Sequence, residues 1–293
     1  MLDNENEMVF DDLYSKTKSV LISIIIPVYN AASTIERCVQ SVVSEAEICT
    51  EDYEVILVDD GSIDSSAEIC TRLVKENERI RLVSQQNAGP SVARNRGIEL
   101  AHGALIALND ADDRWLPGKL KIQIEELQKN PGVDLVCAKY GTSLRAGKRT
   151  VITYRKEVFH NFFSPPTSVF RAKALVGGFP ENQRHSEDMR FLLDFMRTGT
   201  CLYMPFLATV PVSGKRVWGD SGLSAHLWKM ERGELGNIVY AWQLGKIHFV
   251  IMVLACLWSL AKFFRRAIVS AIIRIKNARQ EINLKKVKNE KSI

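Results

Sequence analysis

Three short apolar runs each stop at a cluster of small and polar residues. Residues 20–26 (Val20-Leu21-Ile22-Ser23-Ile24-Ile25-Ile26) stop at Pro27-Val28-Tyr29-Asn30. Residues 55–58 (Val55-Ile56-Leu57-Val58) stop at Asp59-Asp60-Gly61-Ser62, and 80–83 (Ile80-Arg81-Leu82-Val83) at Ser84-Gln85-Gln86-Asn87-Ala88-Gly89. Runs this short and apolar predict strands buried on both faces. Helix-start signals lie between them: Ser33-x-x-Glu36 and Ser65-x-x-Glu68 have the capping-box form, in which hydroxyl and carboxylate satisfy free backbone N–H groups. Strands alternating with helices predict an α/β fold with a mostly parallel sheet, because parallel neighbours need a crossover. Ligands of such sheets gather outside the carboxyl ends of the strands. All the polar clusters fall on that edge.

A fourth run, Ala104-Leu105-Ile106-Ala107-Leu108, ends at Asn109-Asp110-Ala111-Asp112-Asp113. Three carboxylates in four positions repel one another unless a cation sits between them, and hard oxygen ligands suit Mg²⁺ or Mn²⁺. Asp-x-Asp by itself is common in surface turns; its place on the shared edge gives it weight. Further along, Gly177-Gly178-Phe179-Pro180-Glu181 precedes Ser186-Glu187-Asp188-Met189-Arg190-Phe191, a pair of acids opening a predicted helix.

Together with Asn87-Ala88-Gly89-Pro90-Ser91-Val92-Ala93-Arg94-Asn95-Arg96-Gly97, these motifs resemble family 2 glycosyltransferases of the GT-A fold, the nucleotide-diphospho-sugar transferase fold, over roughly residues 20–230. The resemblance implies an inverting transferase that moves a sugar from a nucleotide-diphosphate donor, UDP-linked, to a saccharide or lipid-linked saccharide in surface-polysaccharide synthesis. Pro27 would shape the first turn and Tyr29 lie against the base. Asp59 or Asp60 would accept from uracil or ribose, the other acid of the pair being free to cap a helix. Gln86, Asn87 and Arg94 stand at the third crossing, where Arg94 can fork onto a phosphate or base edge, or form an exposed salt bridge. Asp112 would hold the metal, Asp110 the ribose or donor sugar, and Asp113 the sugar or the segment after Trp115-Leu116-Pro117. Asp188 would be the general base, with Glu187 orienting the acceptor, although acids also favour a helix start for ordinary electrostatic reasons. Lys215, Arg216 and Trp218 belong to a segment that closes over the donor in relatives, Arg216 meeting the diphosphate; a surface loop is the alternative. His226 is a lone histidine, a type more often structural than ligating. A sugar nucleotidyltransferase would want a Gly-rich basic phosphate loop after the first strand, which residues 28–33 lack. A retired scaffold would not need Asp112 and Asp188.

The 293 residues, 46% hydrophobic, suffice for one large domain and an appendage. Six cysteines at 38, 49, 70, 137, 201 and 256 include no Cys-x-x-Cys pair, which predicts reduced thiols. Residues 1–19 carry five acids and no apolar stretch, predicting an acidic arm rather than a signal peptide. The net charge of +5 is concentrated in residues 262–293, where ten Lys or Arg face two Glu. Before that basic run, residues 249–261 are uncharged and apolar; as a helix they reach only ~20 Å, short of a ~30 Å bilayer core. A second apolar stretch follows at 267–275. The expectation is a tail, 231–293, that dips into or lies on an anionic membrane at its cytosolic face, with no nucleic-acid partner. Packing in a core or between copies of a homo-oligomer is the competing expectation.

Overall fold

The computed structural model describes residues 22–49, 52–141, 147–212 and 226–290, with side chains to residue 270. Its strands are β1 (Ile22–Val28), β2 (Tyr53–Asp59), β3 (Ile80–Ser84), β4 (Leu105–Leu108), β5 (Asp113–Trp115), β6 (Leu135–Tyr140), β7 (Thr150–Ile152), β8 (Ser168–Arg171) and β9 (Cys201–Pro211). The α-helices are α1 (Ile35–Cys49), α2 (Ser66–Glu76), α3 (Pro90–Glu99), α4 (Lys119–Lys129), α5 (Tyr154–Glu157), α6 (Glu187–Phe195), α7 (Leu227–Gln243) and α8 (Phe249–Glu290). One sheet runs β3-β2-β1-β4-β8-β6-β9-β5, with β7 also on β9. β1 to β4 pair in parallel. β8 enters antiparallel between β4 and β6. β9 pairs parallel with β6 and antiparallel with β5 and β7.

Composition explains the parallel half. Ile22, Ile24, Ile25 and Ile26 of β1 are fully buried, each contributing about 2 kcal/mol by removal from water. Ser23 is the polar exception, and it is satisfied: its Oγ donates to Glu54 Oε1 (2.7 Å) and accepts from Gly103 N (2.8 Å). The six cysteines are free thiols, four of them buried.

The capping box at Ser65 does not form. Ser65 is the N-cap of α2 but its side chain makes no cap bond. Asp64 Oδ1 accepts from Ser66 N instead (3.0 Å), and its Oδ2 from Ala32 N (3.1 Å). A carboxylate makes the stronger, charge-assisted bond, and here it also ties two loops of the functional edge together.

At the other end of the chain, the division expected at residue 230 falls inside α7. The two apolar stretches expected as separate pieces form one helix, because 249–290 contains no Gly or Pro to break it. α8 folds back along α7, from the Trp242–Phe249 ring contact (6.0 Å) to Arg266 Nη2 on Glu231 Oε2 (2.9 Å). Between them Ser259 Oγ donates to Glu231 Oε1 (2.8 Å) and Lys262 Nζ to Glu234 Oε1 (2.6 Å). The opposite face leaves Val250, Leu254, Leu257, Phe264 and Ile268 exposed. Among the described residues no helix is long and apolar enough to cross a membrane.

Candidate active site

The carboxyl ends of β1 to β4 deliver Tyr29, Asp60, Asn87 and Asp110 to one edge. Two clefts meet there, and Arg94, Asp110 and Asp112 line both. One, about 730 Å³, also takes in Pro27, Tyr29, Asp60 and Asn87. The other, about 850 Å³, takes in Asp113, Tyr140, Glu187 and Asp188.

In the smaller cleft Asp60 is a staple. Its Oδ1 accepts from Gln85 Nε2 and Ala88 N, and its Oδ2 from Gly89 N, all at 2.8 Å. Asn87 Nδ2 donates to the Asp60 carbonyl (3.0 Å). Gly89, at φ +97°, adopts a conformation a side chain would strain, and so lets Pro90 open α3 directly after the loop. Asp59 is buried outside the cleft lining, its Oδ1 accepting from Ser62 N (3.3 Å). Gln86 is exposed and lines neither cleft; its neighbour Gln85 is the glutamine held in place. Tyr29, 50% exposed, offers an open ring face at the mouth.

Arg94 projects from α3 and is buried. Its Nη2 donates to Asp110 Oδ1 (2.8 Å) and its Nη1 to Glu187 Oε1 (3.5 Å). The sequence suggested a phosphate fork or an exposed salt bridge; the guanidinium is buried and joins two carboxylates from distant parts of the chain. Burial works against its charge, but Asp110 and Glu187 outweigh that and raise its pKa. Below it lies the Phe179 ring, 5.1 Å from the guanidinium carbon. Asn95 fixes that ring by accepting from Phe179 N (2.7 Å) and donating to Phe179 O (2.9 Å). Phe179 in turn stacks on Phe191 of α6 at 4.1 Å. The glycine-rich stretch before Phe179 is therefore a bracket between Arg94 and the helix carrying Glu187 and Asp188.

The acids of the larger cleft are in tension. Asp113 opens β5, almost wholly buried; burial first and Asp110 second push its carboxyl well above the usual range, although Tyr140 Oη donates to it at 2.6 Å. Glu187 and Asp188 form a second close pair, both raised: by burial, and for Asp188 then by the charge of Glu187. Asp188 Oδ1 accepts a local bond from Met189 N (2.8 Å). Asp112 is exposed at the junction of the clefts.

Among the described residues the larger cleft gathers five carboxyl groups around Arg94, hard oxygen donors that a divalent cation fits. Among the described residues no group of three or more His, Cys, Asp or Glu forms a metal cage. One or two carboxylates completed by substrate phosphates is the usual way Mg²⁺ is held, and Asp112 with Asp110 supplies that much.

Residues that the sequence did not single out anchor the turn that leads into Glu187 and Asp188. Ser186, the residue before Glu187, has φ +55°. Asn237 Nδ2 (2.8 Å) and Gln183 Nε2 (3.0 Å) both donate to its carbonyl, and Ser186 Oγ donates to Met230 O (3.0 Å). Asn237, Met230 and Gly233 all belong to α7. A Cβ on Gly233 would stand 2.4 Å from the carbonyl oxygen of His185. A glycine inside a helical pattern is the one sequence signal that could have flagged this close approach. Arg184 and His226 line the smaller cleft. Lys215, Arg216 and Trp218 lie outside the described residues.

A mixed sheet with two clefts meeting over an Asp-x-Asp turn is the architecture of GT-A glycosyltransferases. The fold matches the mannosyltransferase PcManGT from Pyrobaculum calidifontis, solved with GDP-Man and Mn²⁺, with a TM-score of 0.63 at 18% identity over 94% of this chain and 86% of that one. It matches S. aureus TarS 1-349 with a TM-score of 0.62 at 18% identity, over 84% and 72%. Residues 23–178 match glycosyl transferase family 2, more than half of the chain, and the chain belongs to that family. Among its relatives, the uncharacterized glycosyltransferase EpsJ of Bacillus subtilis is 33% identical over 173 residues, 59% of this chain and 45% of EpsJ. The putative teichuronic acid biosynthesis glycosyltransferase TuaG of the same organism is 41% identical over 106 residues, 36% of this chain and 41% of TuaG. The chain thus spans less than half the length of these relatives.

Proposed function

We propose that the protein is an inverting glycosyltransferase that moves a sugar from a nucleotide-diphosphate donor, UDP-linked, to a saccharide or lipid-linked saccharide in cell-surface polysaccharide synthesis. The supporting observation is the junction itself: Arg94, Asp110 and Asp112 belong to both clefts. A donor in the smaller cleft and an acceptor in the larger would therefore meet there. In this reading Tyr29 lies against the base, and Asp60 with Asn87 shapes the nucleoside pocket. Asp112 with Asp110 holds Mn²⁺ or Mg²⁺, which when bound neutralises charge growing on the departing diphosphate. The Glu187–Asp188 pair faces the acceptor. Asp188 takes the proton as an acceptor hydroxyl attacks the anomeric carbon; the carbon–oxygen bond to the diphosphate breaks and its electron pair leaves with the diphosphate. A base raised by burial holds that proton better than an ordinary carboxylate.

The exposed apolar face of α8 and the basic residues of 262–293 support a peripheral or re-entrant seat on an anionic membrane, at the cytosolic face. Purified full-length protein with a panel of nucleotide sugars, with and without Mn²⁺, tests the core of the reading. Metal-dependent release of nucleoside diphosphate, with an inverted anomer in the product, is the expected result. Release of pyrophosphate, or none with any donor, overturns it.

A further inference from the structure

The acids occupy only part of the larger cleft. Three rings, His160, Phe162 and Tyr203, line the same cavity of about 850 Å³. Phe162 meets Tyr203 at 5.3 Å with 60° between planes, and His160 meets Phe162 at 6.0 Å and 66°. Rings tilted this way leave part of each face uncovered; His160 is exposed and the other two are half-buried. β7 pairs with β9 so that Thr150 lies opposite Tyr203. Gly147, three residues before Thr150, also lines the cleft. A Cβ there would stand 3.3 Å from Tyr203 Cε1, so a glycine leaves that ring edge uncrowded.

The other two rings sit on the loop after α5, and a buried carboxylate shapes it. Glu157 Oε2 accepts from Phe162 N (3.1 Å), and Phe162 O accepts from Cys137 Sγ (3.6 Å). The next residue, Phe163, is buried and stacks on Phe191 of α6 at 5.5 Å. Phe191 stands about one turn after Glu187, in the helix that Glu187 and Asp188 open. Neighbouring residues of one loop therefore line the cleft and clamp the acid-bearing helix. That arrangement fixes the spacing between the aromatic wall and the two acids.

The face of an aromatic ring is negative, and the C–H groups on the face of a sugar ring are slightly positive. Sugar hydroxyls, in contrast, donate to carboxylates. The two parts of the cleft thus fit two parts of one saccharide: a ring presenting a hydroxyl to the acids, and a ring laying its face on the aromatic wall. The cavity lies near the top of the ~300–1,000 Å³ range of ligand pockets, which suits more than one ring. We propose that His160, Phe162 and Tyr203 form a second acceptor subsite, holding the sugar next to the reacting one, and that the acceptor is a saccharide chain of at least two rings. This rests on the transferase reading of the same clefts.

The test uses full-length protein, Mn²⁺, a nucleotide sugar that the protein hydrolyses, and mono-, di- and trisaccharide methyl glycosides of each sugar tried. From one ring to two, kcat/KM is expected to rise on the order of tenfold, the size of one aromatic ring contact. High salt should leave that gain in place, because no charge pair carries it. Tyr203→Leu and Phe162→Leu keep apolar bulk but lose the ring face. Each should raise KM for the disaccharide toward the monosaccharide level, whereas Tyr203→Phe should retain the gain. Calorimetry of mono- against disaccharide on the wild-type chain, with UDP and Mn²⁺ present, gives a second readout that needs no variant. Equal use and equal binding of one ring and two overturns the subsite, as does a gain that survives in both leucine variants. Donor hydrolysis without acceptor separates the two ideas: if it is present while the gain is missing, only the subsite has failed; if it is absent for every donor, the transferase reading has failed.

Discussion

The ends of β2 and β4 both carry neighbouring acids, and the fold treats them in opposite ways. Asp60 is surrounded by donors: two backbone N–H groups and an amide point at its carboxylate. Asp113, Glu187 and Asp188 are buried near other acids, and all three are raised. A satisfied carboxylate builds a loop. A carboxylate held against repulsion and burial stores a tendency to bind a proton or a cation, which is a property of chemistry rather than of folding. The two regions should therefore respond differently to isosteric change.

The largest effect is expected from Asp112→Asn, which removes a hard anionic ligand. Turnover should fall about 10³-fold, as expected when several kcal/mol of charge stabilisation is lost, and nucleotide affinity should cease to depend on Mn²⁺. Calorimetry that finds metal-dependent affinity intact removes Asp112 from the metal site. Asp188→Asn comes next. Turnover should drop about 10²-fold, the scale of a general-base contribution, while melting temperature stays level or rises because a buried like-charge pair is relieved. Wild-type transfer rates in this variant would reduce Asp188 to a helix-start residue.

Asp60→Asn should reverse that pattern. It turns an NH₂ toward backbone donors and should destabilise the fold by about 1–3 kcal/mol, the cost of leaving such groups unmade. Denaturant unfolding measures it, and an unchanged midpoint would erase the contrast between the two regions. The smallest effect concerns Glu157, the buried last residue of α5, raised to about 8 chiefly by burial. Its folded pKa lies above the unfolded value of 4.5, so its stabilising contribution is complete below pH 4.5 and is lost as pH rises through 8. Glu157→Gln should flatten that part of the stability–pH curve, read as the difference between wild type and variant across pH 5–9. The wild-type curve alone is insufficient, because Lys119, lowered to about 7 by burial, contributes the opposite slope above neutrality.

The parallel half of the fold and its functional edge were legible because strand, stop and helix recur within a few tens of residues. β1, β2 and β4 fell where continuous apolar runs demanded them. What sequence could not supply was partner choice across distance. Arg94 was visible as a fork, but Glu187 as one of its partners lies 93 positions away. Asp64 displaced Ser65 as the capping group because two acceptors stood side by side and only packing selects between them. Asn237 and Tyr203 carry no local mark; a helix asparagine and a strand tyrosine read as ordinary. The tail showed its apolar and basic character in composition, whereas only α7, with Glu231 and Glu234 spaced to meet Lys262 and Arg266, shows which face of α8 is turned inward.

The bond from Asn237 to the Ser186 carbonyl has a practical consequence for anyone dividing this chain into working pieces. The family match stops at residue 178, ahead of Glu187 and Asp188, and the Asn237 side chain that pins their turn lies 51 positions beyond Ser186. A fragment cut by family homology keeps the loops after β1 to β3 and the Asp-x-Asp turn and loses Glu187 and Asp188. One cut at the end of the last strand keeps both acids but loses the Asn237 bond that holds the turn before them. A piece of this chain that keeps the turn before Glu187 and Asp188 anchored is therefore set by a hydrogen bond rather than by the edge of a recognised sequence block, and it includes α7.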